Sequence, residues 1–261
     1  MNIKLLEFLV DPKTKEPLEL INGEYHGDDI VSGRLVTESN SYPIINSIPR
    51  FVPKEHYSGS FGYQWKKWPR TQFESENIGG PMEGETRSMF ERIIGYELFS
   101  LDLKDKVILD LGCGPGRFID VATSKGAIVI GLDYSLAVDV AKNNFKKNDN
   151  VHIIQADALS LPLKESKIDG AYSIGVLHHT PNPELAVKCV YDVLKNNGFF
   201  ACTVYSKKGH YNRKSVYALR KLFNRLQPFL GYYPPLVYSY LIVYLLKLMG
   251  IHSPSKYQKI N

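Results

Sequence analysis

Between residues 107 and 205 the chain alternates two kinds of pattern. Short apolar runs at 107–111, 127–132, 151–154, 168–174 and 199–205 have the length of buried strands. Between them, 118–125, 136–147 and 184–194 carry apolar residues at helical spacing. Pro183 suits the first turn of the last helix, and Asn197-Gly198 is expected to end it. Strands alternating with helices predict βαβ units and an α/β fold with a doubly wound, mostly parallel sheet.

Outside this core the pattern changes. Residues 1–55 open on a short amphipathic stretch, Ile3 to Leu9. Short β-type segments follow, punctuated by Asn22-Gly23, Asp28-Asp29, Ser32-Gly33 and Ser39-Asn40. They predict a small β-rich module, which at that size is marginal alone and is expected to dock onto its neighbour. Residues 56–105 read as a linker with lid helices. The helix expected at 83–99 carries Met89, Phe90, Ile93, Ile94 and Leu98 on its apolar face. The core is expected over 106–206. Residues 207–261 read as a helical extension: a basic amphipathic helix over 216–226, then an apolar, tyrosine-rich stretch over 229–249 split by Pro234-Pro235. The run 236–249 is too short to span a bilayer and fits a buried or interfacial helix.

Composition sharpens this. With 261 residues and 44% hydrophobic content, the chain has material for one full α/β domain and a small second one. The net charge of +5 is unevenly placed: residues 201–261 hold ten bases and no acid, leaving 22 bases against 27 acids before them. Such a block suits an anionic partner, such as an anionic small molecule, a phospholipid surface or RNA; a solvated helix face fits equally well. Cys113, Cys189 and Cys202 form neither a disulfide framework nor a metal-binding spacing. The first ten residues carry Lys4 and Glu7 and no long apolar core, so no secretory signal is expected and a cytoplasmic location is the default.

The candidate chemistry lies at the strand ends. After the first core strand comes Asp110-Leu111-Gly112-Cys113-Gly114-Pro115-Gly116. Glycines without a Cβ let the backbone approach a ligand closely. A dinucleotide turn would read G-x-G-x-x-G, and an acid two residues before the first glycine would repel a pyrophosphate. The same acid suits a ligand bearing an ammonium and a sulfonium, S-adenosylmethionine (SAM). Asp133 ends the next strand, placed for ribose hydroxyls. Asp157 follows the third, placed for an adenine amino group. His178 and His179 follow the fourth, where a histidine could serve as general base; packing beneath a cofactor and capping a turn are the plainer roles. Tyr172 and Tyr205 are weaker candidates.

The runs DLGCGPGRF from Asp110, GLDYS from Gly131, QADALSLP from Gln155 and SIGVLHHTPNP from Ser173 resemble the class I SAM-dependent methyltransferases, in the group that includes the ubiquinone and menaquinone C-methyltransferases. The resemblance covers roughly residues 104–205 and implies a Rossmann-like fold. It implies that Asp110, Gly112 and Gly114 line the methionine part of SAM, Asp133 the ribose, and Asp157 with Ala158 the adenine. Cys113, Gly116, Tyr134 and Ile174 complete the expected cofactor set. Relatives place a segment like 61–72 over the pocket, so Trp65 is read either as lid or as cement between domains, and Trp68 as cement. The N-terminal module resembles the Trm112 family, whose C-P-x-C-K-x-P-L run corresponds to Asp11 to Leu18 here. Asp11 and Thr14 replace the cysteines, so no metal is expected. Such folds end on an antiparallel strand pair, and none is legible here, which would suit either a shortened relative or an unusual edge to the sheet.

Three functions fit: methyl transfer to a small-molecule acceptor, notably an oxygen of a sugar, nucleotide-sugar or lipid-linked intermediate; methylation of tRNA or rRNA; or a non-catalytic partner that keeps the fold. The C-terminal helices add peripheral membrane contact as an expectation, beside packing on the core.

Overall fold

The computed structural model describes residues 1–53, 65–80, 82–100, 102–205, 214–231 and 233–250. Its first compact unit is Met1–Val204, and the second begins at Tyr205.

The first unit starts with a 3-10 helix, Ile3–Glu7, and an antiparallel sheet of β1 (Glu19–His26), β2 (Asp29–Val36), β3 (Ser41–Ile45) and β4 (Ile48–Pro49), in that order. Helices α1 (Glu85–Ile94) and α2 (Tyr96–Ser100) follow. The single helix expected at 83–99 is broken because Gly95 takes φ 89°, a left-handed conformation open to glycine at little cost. The core then runs β5 (Val107–Leu111), α3 (Arg117–Thr123), β6 (Ile128–Asp133), α4 (Ala137–Asn144), β7 (Val151–Gln155), β8 (Ile168–Ile174), α5 (Pro183–Val193) and β9 (Leu194–Thr203).

The five core strands pair in the order β7-β6-β5-β8-β9, all parallel. Every residue of β5 is buried, and successive side chains point to opposite faces. Val107, Leu109 and Leu111 join one apolar cluster with α5 and the N-terminal sheet. Ile108 joins a second with α1, α3 and α4. Two covered faces explain the run of apolar residues broken only by Asp110, as parallel sheets generally require. The fold is thus the expected Rossmann-like α/β fold, with a β-rich N-terminal part and C-terminal helices.

The fifth strand begins earlier than expected. Asn197-Gly198 does not end α5; it lies inside β9, where the pairing with β8 slips between Ile168 and Gly170. Asn197 takes φ 65° there. Lys195 anchors the irregular start by an ion pair to Asp169, 2.9 Å.

The N-terminal sheet has no separate core. Met1, Leu5, Leu9, Ile30 and Leu35 share a cluster with Leu109, Ile130 and Ile154 of the large sheet. Buried Asp11 is a hydrogen-bond hub: Oδ1 accepts from the Lys13 and Thr14 amides and the Tyr42 hydroxyl, and Oδ2 from the Thr37 hydroxyl. Burial raises its pKa, but these donors outweigh that and leave it below the usual carboxylate value. Among the described residues no group of three or more His, Cys, Asp or Glu could hold a metal.

Arg50 locks this sheet onto β7. The Phe51 amide donates to the Gln155 carbonyl at 2.8 Å. The buried Arg50 guanidinium donates to Gln155 Oε1 at 2.7 Å and to Asp139 at 2.6 Å.

The second unit holds α6 (Lys214–Leu230) and α7 (Tyr233–Leu248). The apolar stretch is divided just before Pro234 and Pro235, between Leu230 and Tyr233; the prolines lie in the first turn of α7, where their missing amides cost no hydrogen bond. Among the described residues no helix is long and apolar enough to cross a membrane.

Replacing Arg50 with alanine leaves Gln155 Oε1 buried without its donor. We expect a loss of about 2–3 kcal/mol, read as a lower urea midpoint with unchanged slope.

Candidate active site

The glycine turn is shaped by packing as much as by any ligand. Gly112, Gly114 and Gly116 take φ of 86°, 54° and 95°. A Cβ on Gly112 would strike the Val176 side chain, and one on Gly116 the Phe145 ring. Gly114 differs: its face is open except for Trp65, whose Nε1 would lie 3.4 Å from such a Cβ. Trp65 therefore stands over the turn, which favours the lid reading for this residue. Residues 61–64 of the same expected lid lie outside the described residues. Trp68 is partly exposed.

Asp133 ties this turn to the next strand end. Its Oδ2 accepts from the Gly114 amide at 2.9 Å, and its Oδ1 from the Ser135 amide and hydroxyl at 2.8 and 2.7 Å. The Gly112 and Cys113 amides both donate to the Leu132 carbonyl. These bonds hold the ends of β5 and β6 in one unit beside Asp110.

Asp110 is buried, and its Oδ2 has no hydrogen-bond partner among the described residues. Burial pushes its pKa up to about 8; the adjacent Tyr172 hydroxyl pulls it down, and the nearby Asp133 charge adds to the rise. Tyr172 pairs in register with Asp110 across β5 and β8. Its ring meets Phe90 edge-on at 4.9 Å. Burial and the Asp110 charge drive its phenol well above the ordinary value. Tyr205 falls in the second unit.

The other expected residues sit as follows. Cys113 is buried, its thiol donating to the Gly114 carbonyl, so a ligand could meet it only through backbone. Tyr134 is half-buried and close enough to Asp157 for that charge to raise its pKa, behind the larger effect of burial. Asp157 caps its own turn, Oδ1 accepting from the Leu159 amide at 2.9 Å. Ala158 packs in the cluster shared with the N-terminal sheet, and Ile174 is half-buried against the other cluster.

His178 and His179 lie on a one-turn 3-10 helix, Leu177–His179, anchored by buried Leu177. Their rings are 4.1 Å apart. Both ring nitrogens of His178 are buried, and burial, then His179, lowers its pKa. The His179 side is exposed. Because Val176 packs on Gly112, this turn borders the glycine turn.

Sequence reasoning passed over Val176, Phe145 and Gln155. Val176 lies within a recognised run, yet its contact with Gly112 depends on strand order. Gln155 Nε2 donates to the Tyr134 carbonyl at 3.0 Å, so the group that grips Arg50 also braces the Asp133–Ser135 loop.

The family described as a methyltransferase domain matches residues 109–202, the segment from β5 to β9 that carries this site. The chain is 34% identical over 137 residues to the demethylmenaquinone methyltransferase of Lactococcus lactis, covering 50% of this chain and 53% of that protein. It is 32% identical over 100 residues to a ubiquinone biosynthesis O-methyltransferase of Coxiella burnetii, covering 38% and 43%. It thus spans about half the length of such curated relatives. A solved structure of a putative S-adenosyl-L-methionine-dependent methyltransferase from Methanococcus maripaludis aligns over 74% of this chain and 84% of its own, with 18% identity and a TM-score of 0.43.

Gly116→Ala should cost about 2–4 kcal/mol, from a disfavoured φ and the clash with Phe145. Gly175→Ala, at φ 74° with open space around it, should cost about 1–2 kcal/mol, from φ alone. Equal losses in thermal melts would refute the packing account.

Proposed function

We propose that the chain is a SAM-dependent methyltransferase acting on an oxygen of a small-molecule acceptor, a sugar, nucleotide-sugar or lipid-linked intermediate. The unpartnered buried oxygen of Asp110, at the lip of a left-handed glycine turn, carries the reading. A buried carboxyl is costly to ionise unless a cation meets it. The ammonium of an amino-acid ligand is such a cation. Asp133 retains acceptor capacity for ribose hydroxyls beyond its amide bonds. Gly114, open to the site, admits the ligand where a side chain would not.

Bound SAM supplies a methyl group on a positively charged sulfur, already activated for in-line displacement. The chain's part is then to position the acceptor and exclude water. Trp65 over Gly114 serves the exclusion. His179, exposed beside the buried His178 ring, takes the acceptor's proton, while His178 holds its orientation. The lowered pKa of His178 keeps that ring neutral at pH 7, so the pair carries no mutual repulsion.

The Trm112 likeness belongs to this reading. The Asp11 hub does with hydrogen bonds what a metal would do, holding the loop that the family closes with cysteines. RNA as acceptor is favoured only by the charge of residues 201–261; it predicts binding that weakens steeply with salt. A non-catalytic partner predicts weak SAM binding or none.

Calorimetric titration with SAM and with its demethylated product tests the cofactor. Micromolar binding should vanish in Gly114→Arg. Because burial raises the Asp110 pKa to about 8, binding of a cation there should release a proton at pH 7. Affinity should rise by up to tenfold per pH unit between pH 6 and 8, and in Asp110→Asn it should be weak and flat. Strong, pH-independent binding in that variant would remove Asp110 from the site.

His179→Ala should lower kcat by about a hundredfold or more with SAM affinity unchanged, and flatten the acid limb of the pH profile. An unaltered profile in turnover assays with nucleotide-sugar acceptors would exclude it as base.

A further inference from the structure

The second unit carries an exposed surface that the methyl-transfer reading leaves unused. Helix α6 is two-faced: Arg220, Lys221 and Arg225 share one side, and Val216, Leu219, Phe223, Leu226 and Leu230 follow at helical spacing on the other. Helix α7, YPPLVYSYLIVYLLKL, is apolar all the way round. The two meet through Phe223 and Tyr238, ring centroids 5.6 Å apart. Yet among the described residues of this unit none is buried. Phe229 is 85% exposed, Leu241 56% and Tyr240 60%. An open apolar groove of about 700 Å³, lined by Leu226, Phe229, Leu230, Tyr233, Pro234 and Val237, runs between them. A helix pair of this length without a core of its own is not stable in water without a partner.

We infer that this helix pair is a peripheral docking surface for an anionic lipid bilayer. Charge selects the partner: residues 201–261 contain ten bases and no acid. A second copy of the same unit would set like charges together. RNA would satisfy the bases but leave Leu241, Ile242 and Val243 in water. A bilayer meets both needs, with basic side chains at anionic headgroups and apolar residues at the acyl boundary. Tyr217, Tyr233, Tyr238, Tyr240 and Tyr244 are of the type that favours the headgroup level. The 16 residues of α7 extend about 24 Å at the usual helical rise, short of the ~30 Å hydrocarbon core. The surface therefore lies on the membrane. Lys207, Lys208, Arg213, Lys256 and Lys259 add charge but lie outside the described residues. The inference is independent of the chemistry at Asp110.

The full chain should be tested by sedimentation with vesicles of phosphatidylcholine alone and of phosphatidylcholine mixed equally with phosphatidylglycerol. Binding should be strong to the mixed vesicles, at least tenfold weaker to the neutral ones, and reduced by salt. Arg220→Gln, Lys221→Gln and Arg225→Gln together should weaken it roughly a hundredfold. Phe229→Ser with Leu241→Ser, changing no charge, should also weaken it about a hundredfold. An unchanged melting transition of the first unit shows that the loss is local. Failure to bind mixed vesicles, binding unaffected by both variant sets, self-association in place of vesicle binding, or selective capture of an added RNA would each overturn the inference. SAM titration of the same variants separates this outcome from failure of the methyltransferase reading.

Discussion

The bond from the Gly114 amide to the Asp133 carboxylate is the constraint on which the site depends. The Gly112 and Cys113 amides tie the start of the turn to the Leu132 carbonyl, and the Gly116 amide closes back on Cys113. The Asp133 bond adds a side-chain tie at Gly114. It sets the distance between two acidic strand ends, and so whether one ligand can reach both. The carboxylate accepts three hydrogen bonds and needs no ligand to hold its shape. The turn is therefore arranged in advance, and binding would cost little reordering.

Asp110 contrasts with it. Both acids lie at or next to the ends of parallel strands, but Asp133 is half-exposed with both oxygens hydrogen-bonded, whereas Asp110 is buried with one oxygen unmet. The difference follows from position: β5 is central and covered on both faces, and Tyr172 and Phe90 close off water from its end. Under the proposed function, a carboxyl whose pKa burial raises would favour a cationic ligand over a neutral or anionic one of similar shape.

Much of this was legible in the chain. The strands at 107–111 and 168–174 have the bounds their sequence suggests, because burial on two faces demands mostly apolar residues. Asp110 lies one residue before the end of β5, Asp133 ends β6 and Asp157 follows β7 by two residues. What escaped reading was set by tertiary context. Asn197-Gly198 is turn chemistry in isolation, but the Lys195–Asp169 pair and the β8 ladder hold it as a kink within a strand. Glycine at 95 breaks a helix whose apolar spacing runs past it. The contacts of Val176 and Phe145 join residues 29 or more apart, which no local pattern encodes. The docking of Arg50 on Gln155 is likewise hidden, because a lone arginine and a lone glutamine carry no periodic signal.

That docking has a further meaning. Through Gln155, Arg50 is two hydrogen bonds from the backbone of Tyr134. Any coupling between the 133–135 loop and the first fifty residues through this contact runs equally in both directions. The small sheet is in this sense a brace for the loop beside it, two hydrogen bonds away from the residue that follows Asp133.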